Sequence, residues 1–228
     1  MITVISTAYA SASERACKDS VIEQASGYAL RSYEDGFRHI YIDASKQSPP
    51  KSAAQNLYET AMAQIPSEIL VLLDGDDTLA GNSVLAHIRS IYEDPNVWLT
   101  YGSFAYQDGR PGFAAPYREG ENVRTAPFRA THLKTFRAAL FHHLDIDDFT
   151  TVATDDKRWV EHARDHWTMF PLIELAGLDR CRFVPEVLYL YNLRSSFEFS
   201  ATPAELRTEQ AAVRECRART PKTRLVAL

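Results

Sequence analysis

Ile69-Leu70-Val71-Leu72-Leu73-Asp74-Gly75-Asp76-Asp77-Thr78-Leu79 is the stretch on which the fold turns. Five apolar residues run directly into three carboxylates. A run so short and so apolar reads as a strand buried on both faces. Gly75 then permits a tight turn past the strand end. The acidic side chains are therefore expected at the carboxyl edge of a central strand, where ligands bind in open α/β sheets. Carboxylates this close repel unless a cation sits among them. Oxygen ligands suit hard divalent ions, so Mn2+ or Mg2+ is the expected cofactor. The competing reading is a polar turn in which Asp77 or Thr78 caps the next helix.

Upstream, residues 1–7 read as a first strand and 11–25 as a helix capped by Ser11 or Ser13. Residues 37–42 read as a second strand ending at Asp43. A loop marked by Pro49-Pro50 leads to a helix over 52–65, closed by Pro66. Downstream, 82–92 read as an amphipathic helix and 97–104 as a fourth strand. This alternation predicts an α/β fold, a mainly parallel, Rossmann-like sheet with helices on both faces. Residues 106–127 are irregular and rich in proline and glycine, as functional loops often are. The pattern then predicts a basic, aromatic helix over 130–144, an acidic loop over 145–157 and a helix over 165–176 stopped by Gly177. A strand broken by Pro185 follows. Thr202-Pro203-Ala204-Glu205 is a capping box that opens a last helix, and the tail beyond it reads as basic and frayed. The expected division is one main domain over 1–200 and a helix with a basic tail over 201–228.

The net charge of −5 supplies no global field for nucleic acid or a membrane surface. No apolar run approaches the ~20 residues of a membrane helix. The amino terminus shows no secretion signal. Cys17, Cys181 and Cys216 are far apart and form no C-x-x-C pair, which fits a reducing, cytoplasmic setting.

Val4-Ile5-Ser6-Thr7 with Tyr9, Ile40-Tyr41-Ile42-Asp43-Ala44-Ser45, the amide pair Gln55-Asn56, Asp74-Gly75-Asp76-Asp77, His132-Leu133-Lys134-Thr135-Phe136-Arg137, Arg164-Asp165-His166 and Val187 to Asn192 together resemble a family-two glycosyltransferase of GT-A fold. The likeness is to its small, single-domain bacterial and viral branch. The resemblance implies a nucleotide-sugar donor, UDP-sugar favoured, bound by Thr7, Tyr9, Asp43, Gln55, Asn56, Asp74 and Asp76. Asp43 would contact the base. Asp76 would lie near the ribose or diphosphate, and the metal would be held by Asp76 and Asp77, with Asp74 as an alternative to Asp77. Asp165 would be the catalytic base of an inverting transfer. Two departures stand out. Ala44 replaces the second aspartate of the base-binding motif, and Arg164 replaces the glutamate that ordinarily precedes Asp165.

The chemistry requires stabilisation of the diphosphate leaving group and a carboxylate to take the acceptor proton. The alternative for Asp165 is a favourable charge at a helix amino terminus; Asp155, Asp156 and Glu161 are nearby rivals. His132, Lys134 and Arg137, expected on one helix, are candidates for the diphosphate or an anionic acceptor. His166 reads as a helix-start histidine, with a metal ligand as the sharper alternative. Trp159 is the candidate for stacking on sugar, whereas Trp98 reads as core. The acceptor is a carbohydrate or, through Arg214, Arg217, Arg219, Lys222 and Arg224, DNA; the plainer reading of that tail is a solvated face. A nucleotidyltransferase would need a glycine-rich loop after the first strand, and Ser6 to Ser11 has no glycine. A sugar- or nucleotide-binding module without catalysis is the non-enzymatic rival.

Overall fold

Strand β1 (Ile2–Ala8) is apolar enough to be buried from both sides, and it lies between two parallel neighbours, β2 (Phe37–Asp43) and β3 (Ile69–Leu72). The structure, a computed structural model, describes residues 1–9, 13–26, 36–151, 158–193 and 201–228. Ser11, Asp155 and Asp156 lie outside the described residues. The other strands are β4 (Thr78–Leu79), β5 (Leu99–Tyr106), β6 (Lys134–Arg137) and β7 (Cys181–Tyr191). Among the described residues these seven strands form one sheet in the order β2-β1-β3-β6-β5-β7-β4. Its long ladders, β1 with β2 and β5 with β7, are parallel; β6 and the short β4 pair antiparallel.

Alternation along β3 divides the core in two. Leu70 and Leu72 face a cluster built with α2 (Ala53–Met62), α4 (Ala138–Phe141) and α5 (Arg164–Ala176). Ile69, Val71 and Leu73 face a cluster built with α1 (Glu14–Ile22) and α3 (Val84–Ile91). Helices therefore cover both faces, as the sequence predicts.

One predicted element is replaced. Instead of a helix over 130–144, residues 134–137 are strand β6, wedged between β3 and β5, followed by the short α4. His132, Lys134 and Arg137 therefore do not share a helix face. The side chains alternate with strand periodicity. Phe136 joins the α5 face, and Thr135 turns to the other, where its hydroxyl bonds Thr100 at 2.6 Å and Tyr92 at 2.8 Å. Two flanking strands with open ladders outweigh the weak helical preference of a mixed segment.

In β7 the predicted break at Pro185 is present, as a register shift against β5 between Gly102 and Phe104. The tail differs from expectation. Helix α6 (Pro203–Ala218) buries Cys216 in the α5-side core, and the chain beyond it docks on α5, with Leu225 N donating to Leu175 O at 2.9 Å. Arg217 donates to the carbonyl of Ala126 at 3.0 Å, Arg219 to that of Asp147 at 2.5 Å, Lys222 pairs with Asp148 at 2.7 Å and Arg224 with Asp179 at 2.6 Å. These cations serve the fold rather than a free basic face.

Gly75 sits where β3 runs on beside β1. Its N–H donates to Thr7 O at 3.1 Å, and a Cβ there would lie 2.6 Å from Ala8 Cβ and 3.2 Å from Thr7 O. Gly75→Ala is expected to lower stability by about 1–3 kcal/mol through overpacking, read from urea unfolding. A loss within error would show that this strand end is loosely held.

Candidate functional site

Three parallel strands deliver their polar residues to one edge. Ala8 pairs with Asp43, and Gly75 continues the ladder to Thr7, so Thr7, Asp43 and Asp74 end at the same level. Strand β6 arrives from the opposite direction, with Lys134 opposite Leu72. Helix α5 then presents its first residues to this edge, entered through Ala163 in the left-handed region at φ 56°.

Two ion pairs organise the centre. Arg164 donates to Thr7 Oγ1 at 2.7 Å and pairs with Asp74, so one guanidinium ties α5 to the ends of β1 and β3. Lys134, only 1% exposed, lies with its ammonium 2.6 Å from Asp165 Oδ1. Burial pushes both carboxyls up, but the opposing charges win. Arg164, Lys134 and His132 hold Asp74 below its usual range, and Lys134, His132 and Arg164 hold Asp165 well below it. Arg164 is raised by Asp74 and Asp165 against its own burial.

Asp77 departs from the expected role of metal ligand. It is 2% exposed and turned inward, and both its oxygens accept hydrogen bonds, one from Tyr189 OH and one from Asn192 N at 2.6 Å. Burial, with Asp74 and Asp76 beside it, pushes its carboxyl up to about 8. Asp76 is half-buried at the turn between Asp74 and Asp77. Among the described residues no three His, Cys, Asp or Glu side chains gather as a ready ligand set. The carboxylates present fit a divalent ion only as a shared site, in which substrate phosphates complete the shell, a mode that Mg2+ commonly uses.

The remaining candidates separate. Asp43 accepts from Ser45 N at 3.0 Å and Ser45 Oγ at 2.6 Å and pairs with Lys46 at 3.0 Å, capping the turn that follows β2. Ala44 beside it is buried. Asn56 exchanges amide hydrogen bonds with Gln47 at 2.8 and 3.1 Å, which braces the loop after Asp43, whereas Gln55 reaches along α2 to Glu59. Tyr9 is 74% exposed just beyond β1. His132 stacks on Tyr189 with ring centroids 4.3 Å apart; burial and Lys134 lower it to about 4. Burial likewise lowers His166 to about 4, in a stack 4.0 Å from Phe128. Arg137 lies opposite Ile69, at the far end of β3, where it donates to the carbonyls of Tyr92, Asp94 and Val97. It is removed from the edge it was expected to serve. Trp159 packs partly buried beside Tyr58, with ring centroids 5.6 Å apart; Trp98 is core. Sequence reasoning missed the pairing of Arg164 with Asp74, the burial of Lys134, and Tyr189 as the partner of Asp77. The unusual arginine before Asp165 was the one visible signal.

No family model and no curated protein matches the sequence. Solved structures do match the fold. A structure of S. aureus TarS 1–349 in complex with UDP-GlcNAc superposes with a TM-score of 0.57 at 12% identity, over 93% of this chain and 65% of that one. Mannosyltransferase PcManGT from Pyrobaculum calidifontis, in complex with GDP-Man and Mn2+, gives 0.54 at 15% identity, over 96% and 65%. Glucosyl-3-phosphoglycerate synthase from Mycobacterium tuberculosis, with Mg2+ and UDP, gives 0.53 at 14%, over 93% and 79%. This chain thus spans about two thirds of the length of the first two. The fold is GT-A, in agreement with the resemblance of the motifs. No helix among the described residues is long and apolar enough to cross a membrane.

The inward Asp77 has a consequence for stability. Its folded value of about 8 lies above the unfolded value near 3.9, so its contribution is full below pH ~4 and is lost as pH rises through about 8. Asp77→Asn keeps the shape and does not titrate. Its thermal midpoint relative to wild type is expected to improve steadily between pH 4 and pH 8. A constant difference across that range would mean that Asp77 is ionised in the fold.

Proposed function

We propose that the chain is an inverting glycosyltransferase that moves a sugar from a nucleotide-sugar donor, UDP-sugar favoured, to an acceptor hydroxyl. The observation that carries this reading is the convergence of Thr7, Asp43 and the Asp74 cluster on one strand edge, faced by Asp165 from α5. The GT-A fold, seen in neighbours that hold UDP-GlcNAc, GDP-Man and UDP, supports it.

In this reading the base and ribose lie along the ends of β1 and β2, with Asp43 and Tyr9 toward the base. The diphosphate meets the edge at Asp74 and Asp76. Mn2+ or Mg2+ would be held by Asp76 together with the donor. Such an ion supplies positive charge to the leaving phosphate. Asp165 takes the proton of the acceptor hydroxyl as its oxygen attacks the anomeric carbon. The bond to the diphosphate breaks, and with no protein nucleophile the configuration inverts. Lys134 keeps Asp165 ionised and oriented, at the cost of basicity. The acceptor is a carbohydrate. DNA is the weaker candidate, because four of the five tail cations that suggested it, Arg217, Arg219, Lys222 and Arg224, pair within the fold.

That same grip of Lys134 on Asp165 favours a second reading, a nucleotide-binding module without turnover. Thermal shift with nucleoside diphosphates and nucleotide sugars, with and without manganese, tests both. A donor-dependent rise in midpoint that Asp76→Ala abolishes is the expected result. No shift with any nucleotide in folded protein would end the donor reading. Asp165→Asn should keep the shift and slow transfer by about 10²–10⁴-fold. Binding by wild type without any turnover would select the module.

A further inference from the structure

We propose that Arg164 binds the diphosphate of the donor and sets the protein's preference for nucleoside diphosphates over monophosphates; this rests on the donor reading above. Its guanidinium lies across the ends of β1 and β3, fixed by Thr7 Oγ1 at 2.7 Å and by Asp74. This is the position in an open α/β sheet at which a ligand's phosphates arrive.

Three features make this side chain suited to that task. The edge is lined by Asp74, Asp76 and Asp165, and carboxylates alone would repel an approaching diphosphate. A fixed cation inside the cluster offsets that repulsion. The guanidinium is planar and carries several donors, so it can hold a carboxylate and still present N–H groups to phosphate oxygens; an ammonium lacks that fork. Access separates the two buried cations. Lys134 is 1% exposed and closed against Asp165, whereas the Arg164 side chain is 20% exposed and its partner Asp74 is 25% exposed. Arg164 also opens α5, a helix of 13 residues, so the positive end of its dipole adds to the same field. At this position the resemblance places a glutamate. The exchange reverses a charge at the strand edge, and the structure gives the new charge a defined seat.

In the resting protein Asp74 acts as the counter-ion of Arg164. When the donor arrives, the β-phosphate competes for the guanidinium, and Thr7 keeps the group in register. A nucleoside monophosphate has no β-phosphate to make that contact.

Isothermal titration with UDP and UMP, and with GDP and GMP, in manganese buffer tests the assignment. Wild type is expected to bind one diphosphate at least ~10-fold more tightly than its monophosphate, the gain of about one charge-assisted contact. Arg164→Gln is expected to reduce that ratio by about tenfold. Asp74→Asn/Arg164→Gln removes the pair together, leaves no lone buried charge and should show the same reduced ratio; circular dichroism confirms that each variant is folded. A diphosphate preference undiminished in folded Arg164→Gln, or in the double variant, overturns the role of Arg164 and leaves the donor reading intact. Failure of wild type to bind any of the four nucleotides overturns both.

Discussion

Ending a buried strand in three carboxylates sets the constraint that the rest of the site answers. Asp74, Asp76 and Asp77 leave β3 with little water around them, and like charges so close cannot all stay ionised without compensation. The protein answers in different ways at different positions. Asp74 receives a guanidinium from α5. Asp77 is turned inward, where burial and the carboxylates of Asp74 and Asp76 favour a proton over a charge even though Tyr189 and Asn192 both donate to it. Asp165, brought in by α5, receives the ammonium of Lys134 from β6. Each solution needs a different element in place, so the cluster binds α5, β6 and β7 to the end of β3.

The same pairs carry their own balance of costs. A buried ion pair is weak evidence of stability, because desolvation offsets much of the attraction. Breaking one is costly, however, since a lone charge is left behind. Lys134 and Arg164 therefore persist together with their carboxylates, and both sit at the same strand edge. A carboxylate held well below its usual range is reliably ionised but is a modest base.

Much of the fold was legible from local pattern. The run Ile69–Leu73 placed the central strand because burial on two faces leaves no polar position, and both core clusters draw on it in alternation. Pro185 marked a break in β7 because proline has no N–H to pair. The helix expected over 130–144 failed for a reason that no local pattern carries. Lys134 and Arg137 look like the solvated positions of a helix, yet Lys134 is buried against a partner on α5 and the half-buried Arg137 is held by carbonyls around Val97. The same limit governed the site. Asp43, Asp74 and Asp165 could be singled out one by one from strand ends and motif resemblance. Their counter-ions, and the inward turn of Asp77, depend on contacts between distant segments.

Helix α5 shows why the tail matters to the site despite lying away from it. Its first turn supplies Arg164 and Asp165. Its last turns carry Glu174, which pairs with the buried Arg124 and accepts from Lys222 N at 2.9 Å, and Leu175, which accepts from Leu225. Arg219 lies over Trp167 with its guanidinium 4.5 Å from the ring, and Arg217 over Phe170 at 5.2 Å. The tail therefore grips the helix along the length that separates these anchors from the strand edge. Helix α5 runs without a break from Arg164 to Ala176, although Pro171 removes one N–H from its ladder, so fixing its carboxyl end restrains where its first turn can sit. The cations of the tail then have a function that needs no external polyanion. They hold in position the helix that brings Arg164 and Asp165 to the carboxylates of β3.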